Sequence, residues 1–133
     1  MLGLDLGEAR IGVAVSDPSG TICTPLAAIK RTESDDVLRY VATLASTEQV
    51  SRIIVGLPIT MEGHRGTKAA EAARFRSALK LLTDLPVDLW DERLTTVEAH
   101  ARLRDANAKK RLDKGRIDSI AAALVLESYL AAH

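Results

Sequence analysis

One cysteine in 133 residues, Cys23, leaves no internal disulfide to form, and three scattered histidines, His64, His100 and His133, offer no zinc-type Cys/His spacing. A reducing, cytoplasmic compartment is therefore the expectation, with Cys23 beside Ile22 reading as a small apolar filler. Aromatic residues are scarce, at 3% against 47% hydrophobic overall, so the core must be built from Ala, Val, Leu and Ile. That composition suits helices packed on a sheet better than an all-β sandwich. No run of about 18 apolar residues occurs, and the start lacks the charged and apolar regions of a signal peptide, so no membrane partner is expected. Eighteen basic and eighteen acidic residues cancel to a net charge of zero. The molecule as a whole thus makes no electrostatic case for a polyanion.

The length predicts one domain over 1–133. "LGLDLG" and "IGVAVSD" alternate like paired strands, and "GTICTPLAAI" supplies a third, giving an antiparallel meander. Val37, Leu38, Val41, Leu44 and Ala45 then recur at helical spacing, with Thr32 or Ser34 as cap. "RIIVGLP" reads as a buried parallel strand stopped by Gly56 and Pro58, "ITMEGHRG" as a loop, and Thr67–Thr83 as a helix with Ala72, Phe75, Leu79 and Leu82 on its stripe. "VDLWDER" is a fifth strand, and Thr95 to Glu98 forms a capping box that opens a further helix. A basic loop precedes a final helix over 116–131, with Ile117, Ile120, Ala121, Leu124 and Ser128 on one stripe. The order β-β-β-α-β-α-β-α-α is an α/β fold, a mixed five-stranded sheet of a three-strand meander plus two parallel strands, flanked by helices.

Three carboxylates stand in apolar surroundings. On the first strand Leu2, Leu4 and Leu6 share one face; the other carries only Gly3, Asp5 and Gly7, which leaves room for a close approach to Asp5. Glu92 ends a strand beside the turn into a capped helix, where α/β proteins place ligands. Asp118 falls near the first turn of an apolar helix. Each has a plain alternative: an edge-strand acid at Asp5, a surface pair with Arg93 at Glu92, a dipole-favoured acid at Asp118. Asp88 and Asp91 read as solvated. Carboxylates brought together repel, and a divalent cation resolves the repulsion. With no His or Cys in the set, Mg²⁺ is the natural ion, and two ions sharing these ligands suit phosphodiester hydrolysis.

Between Arg102 and Arg116 seven basic residues face two acidic ones, a local charge of +5. Lys109, Lys110, Arg111 and Lys114 are the candidates there for holding phosphates without reading bases.

"DLGEARIGVAVSD", "IIVGLPITMEG", "DERLTTVEA" and "KGRIDSIAAALVLESYL" resemble, in order and spacing from Leu2 to Leu130, the YqgF family of pre-16S ribosomal RNA nucleases, also described as Holliday junction resolvases. The resemblance implies an RNase H-like fold with metal-binding catalytic acids at Asp5, Glu92 and Asp118, and places Arg10 in a turn that either packs or contacts backbone phosphate. Two departures stand out. Thr60-Met61-Glu62-Gly63 replaces the family's frequent Asn-Met-Asp-Gly, and Gly115 stands where RuvC-type resolvases carry a further His or Asp. The missing ligand leaves three options: weak activity, a carboxylate from elsewhere such as Asp113, or reliance on Mn²⁺.

The expectation is a divalent-metal-dependent nuclease, with Mg²⁺ or Mn²⁺, acting as monomer or homodimer on structured nucleic acid. Ribosomal RNA precursor is preferred over branched DNA. A Holliday junction resolvase, a non-catalytic RNA-binding ribosome-assembly module and an actin-like ATPase are the alternatives. The last would need a second Gly-rich phosphate loop, and nothing after residue 56 supplies one.

Overall fold

A computed structural model describes residues 1–7, 9–31, 36–57, 67–92, 101, 105 and 114–133, excluding the side chains of Thr67 and Lys114. Strands β1 (Leu2–Leu6), β2 (Arg10–Ser16) and β3 (Cys23–Lys30) form the expected antiparallel meander. Helix α1 (Asp36–Thr47), strand β4 (Ile53–Leu57), helix α2 (Thr67–Lys80) and strand β5 (Val87–Asp91) follow, and helix α3 (Lys114–Ala132) closes the order. The sheet runs β3-β2-β1-β4-β5, with β1 parallel to β4 and β4 parallel to β5, so β1 is central. The expected capping box and "ITMEGHRG" lie outside the described residues, as does most of the basic loop, whose last residues, 114–116, belong to helix α3 rather than to a loop.

Leu2 and Leu4, fully buried, join Ile11, Val13, Ile53, Val55 and Val87 under Val37 and Val41 of α1 and Ala72 and Leu79 of α2. The pattern of alternation is what selects this face. The opposite face of β1 is not bare, as its glycines suggested, but covered by α3. A Cβ at Gly3 would lie 3.2 Å from Leu126 Cβ, and one at Gly12 only 1.9 Å from the Asp118 carbonyl oxygen. Helix and sheet backbones touch there, and only glycine permits it.

That contact also revises the final helix. Its buried positions are Ser119, Ala122 to Leu126 and Tyr129, with Ile117 and Ile120 only partly buried. Small residues at 119, 122 and 123 meet the sheet because the backbones are too close for isoleucine. Helix α2 ends at Lys80, short of the expected Thr83; Leu81 and Leu82 turn out to solvent at 86% and 43% exposure. The chain must reverse before Pro86 to enter β5, so the last apolar residue of the stripe does not reach the core.

Candidate metal centre

The carboxyl ends of β1, β4 and β5 lie side by side, and each contributes to one cluster. Asp5 on central β1 pairs with Gly12 of β2 and projects toward α3. The parallel register sets Leu4 opposite Val55, which brings Gly56 of β4 next to Asp5. Glu92, one residue beyond β5, extends across that glycine: a Cβ at Gly56 would sit 2.7 Å from Glu92 Oε1. The Glu92 carboxyl thereby reaches hydrogen-bond contact with Asp5. Burial, reinforced by that hydrogen bond and by the charge of Glu92, pushes the Asp5 carboxyl well above the usual carboxylate range; Lys68 of α2 pulls weakly the other way.

Asp118 enters from α3, two residues further into the helix than expected, because α3 begins at Lys114. Its Oδ2 lies 3.9 Å from the position a Gly7 Cβ would occupy, over the end of β1. Desolvation and the nearby charge of Asp5 raise the Asp118 carboxyl, and Arg10 opposes them through an ion pair with Nε 3.3 Å from Oδ2. Beside it, Ser119 is fully buried, and its Oγ accepts the Val13 N–H at 3.1 Å where β2 shifts register against β3. That bond seats α3 on the sheet and fixes the approach of Asp118.

Of the three predicted acids, Asp5 and Glu92 meet at one end of the sheet, and Asp118 lies near enough to feel the charge of Asp5. Their donor atoms are all oxygen, suited to a hard divalent cation, and Gly56 leaves the space that Glu92 fills. Asp5 and Glu92 already form a pair. Among the described residues no group of three or more His, Cys, Asp or Glu is arranged to hold a metal ion; Asp118 points its Oδ2 at Arg10 instead.

Of the predicted phosphate contacts, Arg10 opens β2 and pairs with Asp118. Lys109, Lys110 and Arg111 lie outside the described residues, as does the side chain of Lys114. Asp88 is not simply solvated: it is ion-paired with Arg52 and accepts the Tyr129 hydroxyl at 3.4 Å. Sequence reasoning missed Lys68, whose charge acts on Asp5, and Arg31, which donates to the Gly7 carbonyl at 2.7 Å and pairs with Glu71 of α2. Neither carries a local signal. Gly56, a glycine inside a buried β-branched strand, did carry one.

A mixed sheet in the order β3-β2-β1-β4-β5, with acids at the central strand, a neighbouring strand end and the covering helix, has the architecture of RNase H-like proteins. Thermus thermophilus RuvC, solved alone and in complex with a Holliday junction substrate, superposes with a TM-score of 0.61 at 14% identity, over 98% of this chain and 95% or 94% of the two RuvC chains. The chain belongs to the RuvX family, described as Holliday junction resolvase, whose profile matches residues 1–132. A Chloroflexus aggregans relative is 42% identical over 98% of this chain and 92% of its own. Another from Anaeromyxobacter sp. is 43% identical over 97% and 94%; both are named "Putative pre-16S rRNA nuclease". No helix among the described residues is long and apolar enough to cross a membrane.

Proposed function

We propose that this protein is a divalent-metal-dependent nuclease that hydrolyses phosphodiester bonds in structured RNA, with Asp5, Glu92 and Asp118 as metal ligands and 5′-end processing of pre-16S ribosomal RNA as its task. The observation that carries the reading is the Glu92 carboxyl laid across Gly56 onto half-buried Asp5. Two acids held against each other and partly shielded from water are costly unless something binds them. The names of the relatives support the RNA substrate.

When bound, a pair of Mg²⁺ or Mn²⁺ ions supplies the positive charge that activates water and stabilises the transition state of phosphoryl transfer. The chain's own residues do the rest. Asp5, on the central strand, would hold an ion through its carboxylate oxygens, which it can do only once that carboxyl has lost its proton. Glu92 and Asp118 approach from a strand end and from α3, fixing the ligand set from two sides. Lys109, Lys110, Arg111 and Lys114 hold the polyanion through its phosphates, independent of base sequence.

The test incubates the protein with pre-16S RNA and with a four-way DNA junction, under Mg²⁺, Mn²⁺ or chelator, alongside Asp5→Asn. Cleavage of the RNA that requires metal and Asp5 is expected. Symmetric cutting of the junction alone transfers the reading to a resolvase, as the family's description favours. Binding of both without cleavage leaves a ribosome-assembly module, and cleavage that survives chelation removes the metal centre.

A further inference from the structure

Asp5 and Glu92 are in contact, whereas Asp118, near enough to feel the charge of Asp5, is paired with Arg10. We propose that Arg10 is an exchange residue: it holds Asp118 while the metal centre is empty and, once cations take Asp118, swings into the cleft between β3 and α3 to bind a non-scissile phosphate of the nucleic acid. The inference rests on the nuclease reading and deepens it.

Three observations carry it. The ion pair is made through Nε alone, at 3.3 Å, with Arg10 and Asp118 side chains 33% and 27% exposed. It lacks the two parallel bonds that make an arginine–carboxylate pair persistent, so exchange is cheap. The guanidinium also cannot stay there: it occupies the oxygen a cation needs and places a like charge beside the ion. Finally, Arg10 has a place to go. It already lines an open cleft of about 770 Å³ walled by Pro25, Leu26, Ala27 and Ala28 along β3 and by Gly115 and Arg116 of α3. Among the described residues that line it there is no acid. Two arginines over small side chains and strand backbone make a surface that takes an anionic chain. Because Asp118 lies one helical turn from Gly115, the cleft adjoins the metal centre and would receive the same strand that is cut.

Arg10 can serve Asp118 or phosphate, not both. Cation and nucleic acid must then bind with positive coupling, each releasing the partner the other needs.

Calorimetric Mn²⁺ titration and fluorescence anisotropy with a structured RNA hairpin, at matched ionic strength, measure both arms without reference to cleavage. Wild type should bind Mn²⁺ in an Asp5-dependent manner, and Mn²⁺ should tighten its hold on RNA several-fold. Arg10→Gln should bind Mn²⁺ about threefold to tenfold more tightly, bind RNA more weakly and lose the coupling; a fold-change of ten corresponds to about 1.4 kcal/mol. Arg10→Lys, which keeps the charge, should retain much of the coupling and guards against misfolding of the glutamine variant. Arg116→Gln should weaken RNA binding with Mn²⁺ affinity unchanged. Unchanged or weaker Mn²⁺ binding by a folded Arg10→Gln overturns the exchange and leaves Arg10 as a packing partner of Asp118. RNA affinity insensitive to both arginines removes the cleft. Absence of Asp5-dependent Mn²⁺ binding in wild type fells the metal-centre reading itself, a distinct result.

Discussion

Asp5 carries a raised carboxyl for two stacked reasons, burial and then the Glu92 carboxyl against it. A group whose folded pKa lies above its unfolded value keeps its proton longer when folded. As pH rises from the unfolded value of 3.8 through the raised one, the unfolded chain releases the proton first and the fold loses stability. In chelator, then, the protein should be less stable at neutral pH than this carboxyl allows in mild acid. Asp5→Asn should flatten that slope, leaving the smaller part that Asp118 contributes, and gain about 1 kcal/mol at pH 7, the low end of the scale for a poorly compensated polar group. Thermal melts of both proteins across pH measure it, and parallel curves would refute it. The same substitution should abolish cleavage, so stability and activity move in opposite directions. Gly56→Ala tests the geometry: a methyl 2.7 Å from Glu92 Oε1 must displace that carboxyl. A loss of about 10²-fold in kcat, the scale of a 1 Å misplacement, with the melting temperature nearly kept, is the expected kinetic signature.

Helix α3 owes its position to two residues that no hydrophobic stripe reveals. Gly12 lets its backbone touch the sheet, and Ser119 takes the Val13 N–H where the strand register shifts. Ser119→Ala leaves that buried amide without a partner and should cost about 1 to 3 kcal/mol, read from denaturant midpoints. Because Asp118 is its neighbour, Mn²⁺ affinity should fall as well; stability loss with metal affinity intact would separate seating from site. The elements themselves were legible: alternation at Leu2, Leu4 and Leu6 marked the core face, and helical spacing at Val37 and Val41 marked α1. The final helix's face was misjudged because periodicity weighs large apolar residues, whereas here close approach selects small ones. The acids were legible as polar residues in apolar places. Their ion-pair partner was not, since Arg10 and Asp118 are 108 positions apart and neither signals the other.

Across the whole molecule the charges cancel, with eighteen of each sign. Long-range attraction cannot then bring in a polyanion, and affinity must come from phosphates held locally. The stretch from Arg102 to Arg116, with seven basic residues against two acidic, is the concentrated source. Counterion release makes the consequence measurable, since each phosphate neutralised adds about 0.7 to 0.9 to the slope of log affinity against log salt. Replacing Lys109, Lys110 and Arg111 together by Gln should flatten that slope by about 2 to 3 for a structured RNA, with Mn²⁺ affinity unchanged. Removing three exposed charges elsewhere, at Arg39, Arg74 and Lys80, changes net charge equally and should move the slope by less than about one. Equal effects from the two triples would mean that RNA senses only net charge. A slope lost from the first triple alone would place the nucleic-acid track on the basic segment that precedes α3 in the sequence, the helix that carries Asp118.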